Sequence, residues 1–399
     1  MALLDVADAL VKVLTTVNEL GHEIINIHSA SGRITSSNII SKITQPPFPA
    51  SAMDGYAVRF KDIKNPLLVV GECQAGFSYS GNISEGEAVR IFTGAPLVNG
   101  ADTVVIQENV TLTDGTITIN FPVIKGSNIR ALGSDFMNGE LLVAKNTLLN
   151  ARHIGLLAAG NVSEFKVYKK PRVAILSTGD ELVEVGSKVG LNKIVNSNLP
   201  MFSALINENG GIPINFGNAL DTPKSVINKI EQIKDVDIFV SFGGASVGDY
   251  DIIQDVMKTN GLKVHFWKVG MQPGKPLIYG KFNNIPYFGM PGNPSSAYVC
   301  FINFIIPAMY KMMGRRENGL KNGLAHLEHD LKKGGSRINY IRASIRENKF
   351  GKKFVNSSLI QSSANHKTLA NSNCLIVRDI YASEAKLGDL VKIILIDTN

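Results

Sequence analysis

The sequence predicts a multi-domain α/β protein whose central domain is a doubly wound, mostly parallel sheet. The main observation is that β-branched runs alternate with helical runs after Pro171, as in a parallel sheet covered by helices. Two other regions are rich in short β-like runs, one before this alternation and one after it. The expected domains are an N-terminal helical/linker domain (1–42 plus 141–168), an inserted β-rich domain (43–140), the α/β domain (169–318) and a C-terminal β-barrel-like domain (319–399).

The first half of the chain changes pattern twice. Apolar residues at helical spacing between residues 3 and 20 predict an amphipathic helix that closes at Gly21. From about residue 43, runs such as LLVVGECQA and DTVVIQENVTL are cut by Gly, Asn and Pro, which predicts a compact β-rich domain. Residues 141–168 look helical around ARHIGLLAAG, and we expect them to pack near the first helix. The β-rich domain is therefore an insertion.

The second half starts with the alternating domain. Its successive segments are RVAILSTGDEL, a helix from Leu199, IPINFGNALD, a helix from Pro223, VDIFVSFGGAS, a helix from Tyr250, LKVHFWKVG, and IPYFGMPGNPSS leading into an apolar helix. Beyond about residue 320 the runs RINYIRASI, KFVNSSLI, NCLIVRDI and LVKIILID predict the small C-terminal β-domain.

Composition narrows the function classes. The chain has 399 residues, 44% of them hydrophobic and 19% charged, and a formal net charge of +7. This charge suits an anionic small molecule or nucleic acid, but the basic residues are scattered, so we expect no nucleic-acid partner. Cys73, Cys300 and Cys374 lie far apart without a C-x-x-C pair, which argues against a zinc site or a disulfide framework and favours the cytoplasm. No leader or membrane segment is predicted.

Polar loops follow the strands of the α/β domain. Ligands bind beyond the carboxyl ends of the strands in such sheets. One glycine-rich loop alone is typical of a tight turn, but two before helices on the same edge favour phosphate recognition. The predicted substrate-binding residues are Ser177, Thr178, Gly243, Gly244, Ser246, Gly248, Pro291, Gly292, Asn293 and Ser295.

Carboxylates share this edge. They are Asp180, Glu181, Asp221, Asp249 and Asp251. Beside a phosphate they imply an intervening cation, and oxygen ligands suit Mg²⁺. Asp180 and Asp249 are also typical helix N-caps, so Glu181 and Asp251 are the preferred metal ligands. Neither a P-loop, a dinucleotide fingerprint nor a G-x-S-x-G elbow is present.

Two further stretches present single charged residues on rigid turns. In PPFPASAMDGYAV, three prolines lead into Asp54-Gly55, which alone is typical of a hairpin corner. In FWKVGMQPGKPLIYG, Lys268 is followed by Lys275, which sits between a glycine and a proline and can present its charge to an oxyanion.

Six ordered motifs, PPFPASAMDGYAV, IFTGAP, STGDEL, SFGGASVGDYD, PGKP and GMPGNPSSA, closely resemble the molybdopterin molybdenumtransferase (MoeA) family, which is related to the E domain of gephyrin. The resemblance covers nearly the whole chain. It implies a sheet of the molybdopterin-binding type and magnesium-dependent hydrolysis of adenylylated molybdopterin, with molybdate insertion and release of AMP. It also implies an elongated homodimer in which Asp54 reaches a partner's active site, and it leaves open a contact with the molybdopterin adenylyltransferase.

By the same resemblance, the positions linked to catalysis are Asp54, Thr93, Asp135, Glu181, Asp221, Asp251, Lys268 and Lys275. One position departs from the family, because the usual KPGKP reads QPGKP here. Gln272 removes a positive charge from the expected anion pocket and predicts a higher molybdate requirement.

Other functions remain open at the level of sequence. An adenylyltransferase acting on molybdopterin, or the related domain of competence-damage proteins, would share the Gly-Gly-x-Ser edge, but the MDGYAV insertion and the C-terminal β-domain count against both. A catalytically weak molybdopterin-binding protein or a scaffold like gephyrin would have this same fold. The chain lacks the extra domain and linker of that scaffold, so the transferase is the preferred function.

Overall fold

The computed structural model describes residues 3–243, 252–316, 319–358 and 360–396. It divides into two compact units. Unit 1 comprises Met1–Glu23 and Val167–Asn399, and unit 2 comprises Ile24–Lys166. The finer division into four domains stays a prediction. None of the described helices is long and apolar enough to cross a membrane.

The N-terminal helix is shorter than predicted. Helix α1 (Val6–Thr16) begins at Asp5, whose side chain accepts a hydrogen bond from the Ala7 amide at 2.8 Å. It ends at Thr16 and not at Gly21, and the next residue, Val17, is already extended. The β-branched run at this point has low helix propensity, which accounts for the early end. Strand β1 (His22–Asn26) follows.

Unit 2 is built on a mixed six-stranded sheet. Its elements in chain order are β2 (Ile39–Ile40), β3 (Ala50–Ser51), β4 (Gly55–Val58), β5 (Leu67–Cys73), β6 (Glu87–Ile91), β7 (Thr103–Ile106), β8 (Val110–Thr113), β9 (Thr116–Ile119), β10 (Ile129–Arg130), β11 (Leu141–Val143), α2 (Ala151–Ala159) and β12 (Glu164–Tyr168), which pairs with β1. The strand order of the main sheet is β7-β4-β6-β5-β9-β8. The predicted β-rich insertion is therefore present, and β4 lies inside its sheet.

Close packing holds β4 against its neighbour. A Cβ atom on Gly55 would lie 2.0 Å from the carbonyl oxygen of Val105 on β7, so only glycine fits there. The following residues, Ala57 and Val58, are fully buried. This fixes the start of β4, directly after Asp54, more firmly than a free hairpin corner would.

The α/β domain supplies the rest of unit 1 up to residue 316. Its strands are β13 (Arg172–Thr178), β14 (Leu182–Val183), β15 (Ile194–Val195), β16 (Ile212–Ala219), β17 (Ile238–Phe242), β18 (Leu262–Trp267), β19 (Met271–Gln272), β20 (Ile278–Phe282) and β21 (Ile285–Met290). Its helices are α3 (Asn198–Glu208), α4 (Pro223–Ile230), α5 (Ile252–Thr259), α6 (Pro294–Cys300) and α7 (Ile306–Met312), with a π-helical segment at Phe301–Ile305. The predicted start of α5 at Tyr250 lies outside the described residues.

The central sheet has the order β16-β13-β17-β21-β20-β18. The first four strands are parallel, and β20 and β18 add an antiparallel edge. The mostly parallel sheet is thus confirmed, although β20 was not predicted as a strand. The chain moves from β13 to β16 on one side and then to β17 on the other, so the strand order reverses between β13 and β17. A crevice at the carboxyl ends of these two strands is the expected ligand position.

The C-terminal domain is a closed barrel, as predicted. Its elements are β22 (Lys321–Leu327), β23 (Ile338–Glu347), β24 (Lys353–Ser357), α8 (His366–Ala370), β25 (Cys374–Arg378) and β26 (Leu390–Leu395). The pairings run β23-β24-β22-β26-β25 and return from β25 to β23, which closes the sheet. Strand β19 of the α/β domain pairs in parallel with β23, so the QPGKP loop is attached directly to the barrel.

Candidate functional site

Three strand ends of the central sheet converge. Gly243, which follows β17, has a positive φ of 98°, and a Cβ there would lie 2.6 Å from the Thr178 carbonyl oxygen. A Cβ on Gly292, which follows β21, would lie 3.7 Å from the Cα of Gly243. Pro291 is buried, whereas Asn293 is exposed at the start of α6. The structure therefore brings Thr178, Gly243 and Gly292 together at the carboxyl edge.

Part of this edge is formed by residues outside the described ranges. Four of the predicted site residues lie outside the described residues: Gly244, Ser246, Gly248 and Asp251. Their predicted roles in phosphate and metal binding stay predictions.

Buried amide and hydroxyl groups without partners lie beside the edge. The Asn196 side chain accepts from the Ser177 hydroxyl at 3.3 Å, and Asn198 donates to the Gly292 carbonyl at 2.9 Å. Among the described residues, Asn196 Nδ2, Asn198 Oδ1 and Ser295 Oγ are buried and have no hydrogen-bond partner. Buried polar groups are normally satisfied, so this concentration indicates a place where a polar ligand completes the bonding. Ser177 is fully buried and supports Asn196 from behind.

Asp180 and Asp221 are joined by two hydrogen bonds, each from the backbone amide of one residue to the carboxylate of the other. The Asp221 amide donates to the Asp180 carboxylate at 2.9 Å, and the Asp180 amide donates to the Asp221 carboxylate at 3.3 Å. Burial raises the pKa of Asp221, and the charges of Asp180 and Glu181 raise it further, against the opposing effect of the amide bond. The prediction that Asp180 is a helix N-cap is wrong, because β14 and not a helix follows it.

The described carboxylates do not by themselves fit a magnesium site. Within residues 3–243, 252–316, 319–358 and 360–396, no group of three or more His, Cys, Asp or Glu side chains is arranged to hold a metal ion. Of the two predicted ligands, Glu181 lies at this edge and Asp251 is outside the description.

The two predicted lysines share one loop. The Val269 amide donates to the Lys275 carbonyl at 3.0 Å, and the Lys268 amide donates to the Leu277 carbonyl at 3.0 Å. Lys268 has a positive φ of 71°, and its Nζ lies 4.0 Å from the centre of the Trp267 ring. Lys275 is exposed. The loop thus presents both cations from a braced backbone.

A basic cleft of about 710 Å³ lies between the QPGKP loop and the barrel. It is lined by the loop residues 272–276, by Ser296 at the start of α6, and by barrel residues of both charge signs. The lysine, arginine and aspartate residues of the whole lining are Lys275 from the loop and Lys332, Arg337, Arg342 and Asp330 from the barrel. Asp330 is already paired with Lys386, at 3.2 Å, so positive charge dominates the cleft.

Gln272 reaches across this cleft to an arginine. Its side-chain oxygen accepts a hydrogen bond from Arg337 Nη2 at 3.0 Å. The position where the family resemblance leads us to expect a lysine is therefore occupied by a neutral acceptor that binds a cation from the barrel. A positive charge is therefore present next to Gln272, on Arg337.

Arg342 is the most unusual member of the cleft. Only 1% of the residue is exposed, and its Nε and Nη2 both donate to Gln361 Oε1, at 3.2 and 3.0 Å. Its Nη1 is buried without a partner, and no carboxylate among the described residues pairs with it. Desolvation lowers the pKa of Arg342, as burial of a cation should. A buried guanidinium without a counter-ion is a strong indication of an anionic ligand.

Unit 2 holds Asp54 in a fixed position. Its Oδ1 accepts hydrogen bonds from both the backbone amide and the hydroxyl of Thr93, each at 2.7 Å. These two bonds, and then the charge of Arg90, hold the pKa of Asp54 below its usual value. Asp54 and Thr93, predicted separately from two motifs, are therefore direct partners.

Asp135 is placed on a neighbouring loop of the same unit. Its backbone amide donates to the Gln45 carbonyl at 3.1 Å, immediately before the proline-rich stretch, and its side chain is exposed. No side-chain bond joins it to Asp54 within the described residues. Its role stays a prediction.

Sequence reasoning missed several residues of these sites. Asn196, Asn198 and Gln361 carry no motif signal. Arg342 could have been found, because it lies two residues after the buried Tyr340 on an alternating strand and so falls on the inward face. Arg337 could not have been linked to Gln272, since 65 positions separate them and only the fold brings them together.

Fold and sites together define a multi-domain α/β protein with candidate anion-binding sites at the carboxyl edge of its sheet and in the basic cleft. Sequence comparison agrees in detail. Residues 4–160 match the MoeA N-terminal region (domain I and II), and residues 174–311 match a probable molybdopterin binding domain. The chain belongs to the molybdopterin molybdenumtransferase (MoeA) family.

Individual relatives support this placement. The chain is 37% identical to the molybdopterin molybdenumtransferase of Nostoc sp. over 89% of its length and 84% of the relative. It is 35% identical to that of Haemophilus influenzae over 93% of both chains. Among solved structures, a molybdopterin biosynthesis MoeA protein from Pyrococcus horikoshii superimposes with a TM-score of 0.85 at 29% identity, covering 99% of this chain and 100% of that one. The fold class predicted from the sequence is thereby confirmed.

Proposed function

We propose that this protein inserts molybdenum into adenylylated molybdopterin with release of AMP, the last step of molybdenum cofactor biosynthesis. The observation that carries the proposal is the basic cleft with the buried, unpaired guanidinium of Arg342. The relatives that match over most of the chain are named as transferases of this kind. For this reason the alternative of a scaffold or a catalytically weak binding protein is not favoured.

The basic cleft is the proposed molybdate site. Molybdate is a compact tetrahedral dianion, and arginine donors match the geometry of such oxyanions. Arg342 lines the cleft and has an unpartnered Nη1 that an anion could satisfy, while Arg337 and Lys275 contribute further charge. Ser296 adds a hydroxyl to the lining. The anion would neutralise a cation that the protein buries at a cost.

The carboxyl edge is the proposed site for the phosphate-bearing part of adenylylated molybdopterin. The close approach of Gly243 and Gly292 lets a ligand reach backbone atoms there. The buried amides of Asn196 and Asn198 can supply both a donor and an acceptor to it. The dithiolene sulfurs come from the substrate, so this chemistry needs no cysteine cluster.

The remaining features of the proposal rest on family resemblance. Mg²⁺ would shield the substrate phosphate from Glu181 and its neighbours, with Asp251 as the second predicted ligand. The functional form would be a homodimer in which Asp54 of one copy serves the site of the other, and an adenylyltransferase would supply the substrate. The cytoplasm fits because all three cysteines are free thiols.

The proposal is tested by incubating the purified chain with adenylylated molybdopterin, Mg²⁺ and molybdate, and following AMP by chromatography. AMP release that requires molybdate and is lost in Arg342→Met would support it. A chain that binds molybdopterin but releases no AMP under any of these conditions would instead be the binding protein. Mixing Asp54→Asn and Glu181→Ala chains tests the shared site, since heterodimers should regain activity.

A further inference from the structure

Arg90 on β6 is a charged residue of unit 2 to which neither the motifs nor the proposed reaction give a role. It is paired with Tyr56 of β4 in the sheet register, one residue beyond Gly55. Its guanidinium carbon lies 5.0 Å from the centre of the Tyr56 ring and 4.9 Å from that of Phe92. Two aromatic faces therefore hold the guanidinium.

The donors of Arg90 brace the backbone around Asp54. Nη1 donates to the carbonyl of Gly55 at 3.2 Å, and Nη2 donates to the side-chain oxygen of Gln107. The backbone amide of Gln107 in turn donates to the carbonyl of Asp54 at 3.1 Å. The arginine thus ties down both the residue after Asp54 and the residue that binds the Asp54 backbone.

The charge of Arg90 also links this residue to Asp54. Among the described residues, Arg90 forms no ion pair with a carboxylate. It is also the charged group whose field acts on Asp54, alongside the two hydrogen bonds from Thr93. Thr93 therefore binds the carboxylate itself, while Arg90 fixes the main chain that carries it and adds a positive field.

We infer that Arg90 is the positioning residue for the Asp54 carboxylate, a role that rests on the proposed function of Asp54 in AMP release. It acts through Asp54 and makes no substrate contact. The guanidinium fork is essential to this role, because one side chain must reach two acceptors, the Gly55 carbonyl on β4 and the Gln107 side chain just after β7.

The test uses the full-length protein with Arg90→Met, Arg90→Lys and the control Lys61→Met. Lys61 is an exposed residue in the 3-10 helix Phe60–Asp62, which follows β4, so Lys61→Met removes the same charge from unit 2 at a position away from Asp54. Two readouts are needed, the kinetics of AMP release and the titration of the ¹³C-labelled Asp54 carboxyl by NMR.

For Arg90→Met we expect kcat to fall about tenfold with KM changed less than about twofold, as for lost positioning. The NMR titration of Asp54 should move to higher pH, because the positive charge of Arg90 helps to lower the pKa of this carboxyl. In an Asp54→Asn background, the same substitution should change the residual rate by less than about twofold. Lys61→Met should match the parent protein in both readouts.

Two results would overturn the inference. One is an Asp54 titration in Arg90→Met that equals that of the parent. The other is a full loss of rate on Arg90→Met that also occurs in the Asp54→Asn background. Arg90→Lys covers the case in which the methionine variant does not fold. It keeps the charge but loses the fork, so the Asp54 titration should stay near that of the parent while kcat falls, and an unchanged kcat would also count against positioning. If even the parent releases no AMP, the proposed reaction fails, and the NMR measurement still decides whether Arg90 controls Asp54.

Discussion

Replacing Gln272 by lysine tests how the basic cleft obtains its charge. The sequence alone suggests that a lysine here would lower the molybdate requirement, because it restores a cation next to the oxyanion. In the structure, Gln272 already holds the cation of Arg337 through a 3.0 Å hydrogen bond. The lysine therefore gains a contact with the anion but loses that bond and faces a like charge.

The magnitudes can be compared. A charge-assisted contact with molybdate contributes about 1.5–3 kcal/mol, and the lost hydrogen bond about 1 kcal/mol. Repulsion between two cations about 4 Å apart in a water-filled cleft costs about 1 kcal/mol. The expected net change therefore lies between a loss of about 0.5 kcal/mol and a gain of about 1 kcal/mol, so the half-saturating molybdate concentration should stay within roughly twofold above and fivefold below that of the parent. In an Arg337→Gln background the repulsion is absent, so the same lysine should lower it by about tenfold or more.

The assay is a molybdate titration of AMP release at saturating adenylylated molybdopterin, repeated by calorimetry of molybdate binding without the second substrate. Gln232→Lys is the matched control, because it makes the same change at an exposed position at the end of α4. An equal effect of the lysine with and without Arg337 would refute the coupling between the two side chains. In the Arg337→Gln background, a half-saturating concentration that the lysine does not lower would refute the contact with the anion.

Three further outcomes follow from the geometry. Gly55→Ala should destabilise the protein by about 3 kcal/mol in chemical unfolding, because its Cβ would meet a backbone carbonyl of β7 at 2.0 Å; an unchanged midpoint would contradict that packing. Arg342→Met should raise the half-saturating molybdate concentration more than tenfold, which corresponds to a loss of about 1.5 kcal/mol or more in binding free energy. In anion-free buffer the free energy of unfolding should not fall, since the substitution removes a buried unpaired charge. Thr93→Val removes one of two donors to Asp54, so the pKa of Asp54 rises and the acid limb of the pH–rate profile moves to higher pH. The lowered pKa also means that the ionised Asp54 stabilises the fold above its ordinary pKa and that this contribution is lost as the pH falls through the folded-state pKa. In Thr93→Val the contribution should be smaller, and its loss should be complete at a higher pH, because the folded-state pKa lies closer to the ordinary one.

The sequence was most informative where local pattern and local chemistry coincide. Alternating β-branched and helical runs predicted the parallel sheet, and glycine-rich loops predicted which edge binds ligand. The β-rich insertion and the C-terminal barrel were also predicted, because their short strands and turn residues are visible in any window of ten residues. Strand β20 was missed since its residues were absorbed into the loop around PGKP, and α1 was drawn too long because its β-branched end still fits a helical apolar pattern.

For the candidate sites too, the sequence was informative about local motifs and uninformative about contacts between distant residues. Asp54 and Thr93 could each be recognised in a motif, and the family resemblance of these motifs predicts a role at the active site for both. Only the tertiary structure decided that they bond to each other, that Arg337 donates a hydrogen bond to Gln272, and that Arg342 is buried with no counter-ion in the described part of the chain. The physical reason is that hydrogen bonds and desolvation depend on distances of a few ångströms between residues far apart in the chain. Periodicity reports which face of an element is buried, and it carries no information about which distant side chain that face will meet.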